Sequence, residues 1–271
     1  MNSTVDSNPG YHWAMGVEYD GGPFRGWQKS PSVVTVQADV EQALSQVANE
    51  PVKVITAGRT DAGVHATGQV ISFTSSIDRG ENAWYRGGNT LTSNAVSFTW
   101  AKQVPENFHA RFSAVSRRYV YVWQTALYGA LSRRYSSSGK PMDVSAMQIA
   151  ADDLVGKQDF SAFRGAGCQA NTAIRKVTSV TIRQQGSFIV LDITANAFLL
   201  HMVRNIAGAL SEVGLGKLPV TWLKAHLAGK DRRVGPKTAP PQGLYLVHVG
   251  YPDLDQGAIN WPPILAEVTK Y

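Results

Sequence analysis

Residues with the means for chemistry gather in one short stretch, Gly58-Arg59-Thr60-Asp61-Ala62-Gly63-Val64-His65-Ala66. Arg59 supplies a fixed cation, Asp61 a carboxylate and His65 an imidazole, all inside a few residues. A carboxylate and an imidazole suit proton transfer or nucleophilic attack. Gly58 and Gly63 permit tight turns and let a ligand approach the backbone closely. The stretch is too small-sided and glycine-rich for core packing. The same residues also suit a structural turn, with Asp61 bonding nearby amides and Arg59 pairing with it.

Other candidate motifs fail on context. Gly165-Ala166-Gly167-Cys168-Gln169-Ala170 imitates a dinucleotide-binding fingerprint, but no strand pattern precedes it and no helix pattern follows. Lys217 is followed by Leu218, where a phosphate-binding loop needs Ser or Thr. The six histidines are scattered without metal-ligand spacing, so no metal is expected. The single cysteine, Cys168, excludes an internal disulfide framework and zinc sites built on cysteine pairs. Nothing local marks it as an activated nucleophile.

Lys plus Arg number 26 against 20 Asp plus Glu, a net charge of +6 that permits a polyanionic partner. Basic residues cluster at Arg117-Arg118, Arg133-Arg134, Arg164, Arg175-Lys176 and Arg232-Arg233. Aromatic residues interleave with them, as in Arg111-Phe112, Arg118-Tyr119 and Phe163-Arg164. Guanidinium groups for phosphates and aromatic faces for unstacked bases are what single-stranded RNA requires. Solvated charges on edge strands would look the same. No run of 18 apolar residues crosses a membrane, and the polar start MNSTVDSNPG carries no secretory pattern, so a cytoplasmic location is expected.

The elements that must position these residues fall into a repeated order. Residues 11–19 read as a strand ending at the turn Asp20-Gly21-Gly22-Pro23. Val36, Val40, Leu44 and Val47 stripe a helix with Thr35 as cap and Pro51 as its close. Short strands follow over 52–56 and 69–74, then a weaker helix over 82–91 and a strand over 96–104. The second half repeats this: a strand over 117–125, then a helix led by Asp143, striped by Val144, Met147, Ala151 and Leu154, and stopped at Gly156. A hairpin over 176–183 and 188–196 follows. Met202, Ile206, Ala209 and Val213 stripe the next helix, a short helix covers 221–228, and a last strand covers 243–249. An α+β fold of two ferredoxin-like β-α-β-β-α-β halves is expected, residues 1–112 and 113–271. The first ten residues are expected to be loose, and the tail after Tyr251 shows no period.

The Gly58–Ala66 stretch resembles the signature of the tRNA pseudouridine synthase A family. Further motifs agree in the same order: Glu18-Tyr19-Asp20-Gly21, Gly26-Trp27-Gln28, Phe108 to Ala114, Arg117-Arg118-Tyr119, Asp159 to Arg164, Phe198 with His201-Met202-Val203-Arg204-Asn205, and Gly243 to Leu246. The resemblance implies the pseudouridine synthase fold, with a central, mainly antiparallel sheet and a cleft between the halves. It implies isomerisation of uridine to pseudouridine at positions 38 to 40 of the tRNA anticodon stem-loop, by base flipping and without cofactor or metal, in a homodimer. Asp61 would be the catalytic carboxylate, acting at C1′, at the pyrimidine ring or on a sugar proton. Arg204 would pair with it, Tyr119 would stack on the base and serve C5 proton removal, and Leu244 would pack the uracil. Arg59 would fill the gap left by the flipped nucleotide or hold its phosphate. Arg25, Arg111, Arg117, Arg118 and Arg164 are expected to contact RNA. One departure stands out: after Asn89 the family carries Leu-Pro, whereas this chain reads Thr90-Leu91-Thr92-Ser93. Two rival readings are an RNA-binding module without catalysis and a hydrolase using Asp61 with His65.

Overall fold

In the computed structural model, residues 10–125, 132–138 and 140–265 are described; residues 1–9 of the stretch expected to be loose, and the side chain of Arg133, lie outside them. Strand β1 is Tyr11–Tyr19 and leads to helix α1, Val36–Ala48, whose stripe Val36, Val40, Ala43, Leu44 and Ala48 is buried. Thr35 takes the capping position with an extended backbone, but its hydroxyl makes no cap bond. The helix closes at Asn49, left-handed at φ 57°, before Pro51 is reached. Strand β2 is only Ile55–Thr56. The expected strand is shorter because side chains of α1 take its amides: Val52 N–H donates to Ser45 Oγ (2.9 Å) and Val54 N–H to Glu41 Oε1 (3.2 Å).

Strand β3, His65–Ser75, starts earlier than its apolar run suggests. The helix expected next runs unbroken over 80–91, with α2 (Gly80–Asn82) and α3 (Gly88–Leu91) joined by a π turn (Ala83–Gly87) whose junctions all keep right-handed helical geometry. On that turn Trp84 packs against Trp13 and edge-on against Phe73. The unusual Thr90–Ser93 segment is held by its own polar groups, with Thr92 Oγ1 donating to Val96 O and Ser93 N–H to Asp39 Oδ1. Strand β4 is Val96–Gln103.

The second half contains β5 (Ser116–Gln124), the short β6 (Ser137–Ser138) and α4 (Val144–Asp152), capped by Asp143 accepting from Ala146 N–H at 2.9 Å. The helix stops at Asp152, and Gly156 instead opens β7, Gly156–Asp159, a strand the sequence pattern does not announce. Strands β8 (Ile174–Gln185) and β9 (Phe188–Ala195) form the expected hairpin. Helices α5 (Met202–Gly214) and α6 (Trp222–Gly229) precede β10, Leu244–Gly250.

The ten strands of the described residues form one sheet along β4-β1-β3-β10-β5-β9-β8-β7, with β2 on β3 and β6 on β5. Each half repeats the same strand order, β4-β1-β3-β2 and β10-β5-β9-β8, the fourth-first-third-second order of a ferredoxin-like unit. Pairing is antiparallel except for β5 with β6 and for β3 with β10, where Tyr245 faces His65 and Leu246 faces Ala66. The halves therefore meet at the start of β3, directly after the Gly58–Val64 loop. The main core lies between the sheet and the helices. On the reverse face, Val120, Val122, Val190 and Val247 are covered by Ile259, Trp261, Ile264 and Leu265 of the tail. Alternation along β5 thus sends Tyr119, Tyr121 and Trp123 to one core and Val120 and Val122 to the other.

Candidate active site

The loop between β2 and β3 is fastened from beneath. Gly58 O accepts from Gln69 Nε2 (2.6 Å) and from Thr56 Oγ1 (3.3 Å). Thr60 shares a 2.8 Å bond with the Tyr19 hydroxyl, and its carbonyl accepts from Trp27 N–H at 3.0 Å. Val64 N–H closes the turn onto Asp61 O at 3.1 Å, with Gly63 at φ +77°. Gly26 runs under the loop at φ +96°, where a Cβ would lie 3.0 Å from Thr60 O and 3.3 Å from the Asp61 carbonyl carbon. The bonds at the Gly58, Thr60 and Asp61 carbonyls fix the loop backbone and the Thr60 hydroxyl ties its side chain down, so the Asp61 side chain is presented by a rigid turn.

Asp61 faces the second half. Arg204, in the first turn of α5, donates from Nη1 to Asp61 Oδ2 at 2.7 Å. Its Nε donates to Ala239 O at 2.9 Å, and Ala239 N–H bonds the Arg204 carbonyl at 3.1 Å. The guanidinium is therefore aimed before it meets the carboxylate. His201 Nε2 lies 3.4 Å from the same oxygen. Among the described residues both contacts fall on Oδ2, which leaves Oδ1 without a protein partner.

Tyr119, on β5, is buried and meets Phe198 edge-on at 5.1 Å. A Cβ on Gly58 would lie 3.7 Å from its hydroxyl, so the ring reaches the mouth of the loop. Burial pushes the phenol well above its ordinary range, and the charge of Asp61 adds to the rise. At neutral pH Tyr119 is a neutral phenol. Leu244 is buried opposite Tyr121, and the turn before it rests on the loop, since a Cβ on Gly63 would come 3.0 Å from Pro241 Cγ.

His65 belongs elsewhere. Its Nδ1 sits 3.0 Å from Gly21 N and 3.1 Å from Asp20 Oδ1, and its ring stacks on Tyr245 at 4.8 Å. Burial lowers its basicity. Its ring is thus engaged at the seam with Asp20, and the structure offers no Asp61–His65 contact for the hydrolase reading.

The arginines expected to contact RNA divide into two groups. Arg25, Arg59 and Arg111 are exposed, with Arg111 lying over the Phe112 ring at 5.5 Å. Arg117 instead donates to four carbonyls, those of Ala57, Arg111, Ala114 and Asn196, at 2.7 to 3.1 Å. Arg118 grips both oxygens of Asp192 (2.8 and 2.6 Å) and lies over Trp261. Arg164 donates to the carbonyls of Cys168 and Ala170. All three guanidinium groups are already engaged within the protein.

Comparison with known proteins turns on these same segments. The family model described as tRNA pseudouridine synthase matches residues 15–113 and 150–252. The chain belongs to this family. It is 50% identical over 242 residues to the tRNA pseudouridine synthase A of Shewanella sp. strain MR-4, covering 89% of this chain and 93% of that one. The corresponding protein of Alcanivorax borkumensis is 52% identical over 244 residues, covering 89% and 91%. Among solved structures, a Cbf5-Nop10-Gar1 complex aligns with a TM-score of 0.36 at 12% identity, over 87% of this chain and 49% of that chain. The α+β fold with its mainly antiparallel sheet is that expected of a tRNA pseudouridine synthase. Among the described residues no helix is long and apolar enough to cross a membrane. His201 is the contact that sequence reasoning left without a task. Its signal was its place in the His201-Met202-Val203-Arg204-Asn205 motif, three residues before Arg204 and directly ahead of α5.

Proposed function

We propose that the protein isomerises uridine to pseudouridine at positions 38 to 40 of the tRNA anticodon stem-loop, with Asp61 as the catalytic carboxylate. The observation that carries this reading is the 2.7 Å pair between Asp61 and Arg204, which are 143 residues apart and lie in different halves. Residues 1–112 and 113–271 act as those two halves, and the site lies between them.

In the reaction the N1–C1′ bond breaks, the uracil turns, and C5 bonds to C1′. C5 loses a proton and N1 gains one, so no electrons are exchanged with another molecule. A uridine in a stem hides these atoms and must be flipped into the site. Attack at C1′, attack at the ring and removal of a sugar proton all require one free carboxylate oxygen. Asp61 Oδ1 is that oxygen, while Arg204 orients the other. Tyr119 stacks on the flipped base. As a neutral phenol it can accept the C5 proton only by passing its own to an acceptor, and Asp61 is the carboxylate whose charge it feels. Leu244 packs the uracil, and the exposed Arg59 fills the place of the extruded nucleotide or holds its phosphate.

The enzyme acts in the cytoplasm, on tRNA, as a homodimer, so that two charges of +6 share one polyanion. Sedimentation at several salt concentrations measures that state, and a monomer throughout would remove it. The decisive test is tritium release from C5-labelled uridine in an anticodon stem-loop. Wild-type protein should release tritium and Asp61→Ala should not. Binding without release by the wild type would favour a binding module.

A further inference from the structure

His201 makes the second contact on Asp61, and the reaction as described gives it nothing to do. Its backbone is unusual. It stands directly before α5 with φ +59° and ψ 3°, left-handed geometry that a residue with a Cβ seldom adopts. Helices are normally entered through an extended Ser, Thr, Asp or Asn whose side chain caps an amide. Here the side chain makes no such bond. It points instead to Asp61, with Nε2 3.4 Å from Oδ2. At this distance an Nε2–H is attracted to the carboxylate oxygen, whereas a bare Nε2 lone pair would be repelled by it.

An independent feature lies on the ring's other side. Gly165 is part of the glycine pair that imitates a nucleotide-binding fingerprint. A Cβ there would stand 3.0 Å from His201 Nδ1, 3.1 Å from its Cγ and 2.9 Å from Leu200 O. Gly165 N–H also donates to Leu200 O at 2.8 Å. Its φ lies outside the left-handed range, so space and not conformation calls for glycine. The imidazole is therefore held between the Gly165 backbone and Asp61.

We propose that His201 is a positioning residue: with Arg204 it holds Asp61 Oδ2 from two directions, so that Oδ1 is the oxygen presented to the flipped uridine, and Gly165 leaves room for its ring. This rests on the reading of the protein as a tRNA pseudouridine synthase.

Two amide substitutions separate the side chain from the backbone. Asn tolerates left-handed geometry well but its amide reaches only as far as Nδ1. Gln reaches about as far as Nε2. His201→Asn should fold normally and bind tRNA within about twofold of wild type, yet lose about tenfold in single-turnover rate, as expected of one contact to a charged group. His201→Gln should recover most of that rate. Gly165→Ala should lower the rate alone and add little to His201→Asn, since both act through one contact. A wild-type rate for His201→Asn overturns the proposal. So do equal losses in the Asn and Gln variants that follow a fall in melting temperature. A measurement that needs no activity accompanies these. The ¹⁵N resonance of His201 Nε2, at one fixed pH, should move in Asp61→Asn, and an unmoved resonance also overturns the proposal. Wild-type protein that releases no tritium overturns the functional reading itself, and the resonance then judges the contact separately.

Discussion

Arg204→Ala is the perturbation whose consequence the structure defines most closely. It removes two bonds with different destinations, 2.7 Å to Asp61 Oδ2 and 2.9 Å to Ala239 O. A bond to a charged partner contributes ~1.5–3 kcal/mol. The side chains of Arg204 and Asp61 are 14% and 22% exposed, so water screens part of the pair and about 2 kcal/mol is the appropriate value. If that energy serves only to hold the carboxylate for reaction, the single-turnover rate falls about 30-fold. The Ala239 bond is structural, and its loss costs about 1 kcal/mol of stability, a fall of roughly 2–4 °C in melting temperature. Activity does not vanish, because His201 still faces Oδ2. Arg204→Lys should fall between, since one ammonium cannot serve both partners in the fork geometry of a guanidinium. Tritium release from excess enzyme and labelled stem-loop gives the rate, and filter binding gives the tRNA Kd. A rate within twofold of wild type would refute the reasoning. A loss carried wholly by a raised Kd would refute it equally, because it would make Arg204 a binding residue.

Other outcomes follow from the same geometry. Tyr119→Phe keeps the ring against Phe198 and removes a hydroxyl that has no hydrogen bond among the described residues, so melting should change little while the single-turnover rate falls at least tenfold; unchanged rate would free the hydroxyl of any chemical role. Arg25→Ala, Arg59→Ala and Arg111→Ala should each weaken tRNA binding and reduce the salt slope by about 0.7–0.9, whereas Arg117→Ala, Arg118→Ala and Arg164→Ala should chiefly lower the melting temperature, and the reverse pattern would contradict the division. Gly26→Ala should destabilise the protein and slow the reaction together, because its φ of +96° and its closeness to Thr60 O leave no room for a side chain; wild-type melting and rate would refute the buttressing role. Burial lowers the pKa of His65, His226 and His248 from an ordinary 6.5, so the unfolded chain binds more protons than the folded one. Their contribution is therefore complete above pH 6.5 and is lost as pH falls below it; a melting temperature that stays flat or rises between pH 7 and 5 would contradict this.

Periodic burial made most of the fold legible. Stripes at helical spacing marked α1, α4 and α5, because each helix buries one face; the run over 117–125 marked β5, which is covered on both faces, and the Gln185-Gly186 turn marked the hairpin of β8 and β9. The edge strand β7, Gly-Lys-Gln-Asp, has no apolar residue to alternate, and its order comes from pairing with β8. The described part of the tail has no long period because Ile259 and Trp261 cover the sheet from irregular backbone, and Ile264 and Leu265 from a single 3₁₀ turn, Pro263–Leu265. Side chains of α1 took the amides expected to pair in the longer second strand. The site shows the same division. Composition singled out the Gly58–Ala66 loop, but only family resemblance linked Asp61 to Arg204. Nor could a run of residues reveal that Arg117 would meet four carbonyls, since every residue carries a carbonyl and the fold alone decides where they converge.

That convergence explains why the loop and the seam belong together. Arg117 joins Ala57, one residue before the loop, to Asn196 at the end of β9, and His65, the residue that opens β3, stacks on Tyr245 of β10. Both ends of the Asp61 loop are therefore fastened to the second half, which also supplies Arg204, His201 and Tyr119. A loop anchored only in its own half would let Asp61 follow every small movement of one half against the other, and a 1 Å misplacement of a reacting group can cost about 10²-fold in rate. Anchoring both ends across the seam makes the carboxylate move with the groups that orient it. The duplicated fold supplies that arrangement directly, because placing the final strand β10 against β3 brings the end of the chain to the start of the strand that follows the loop.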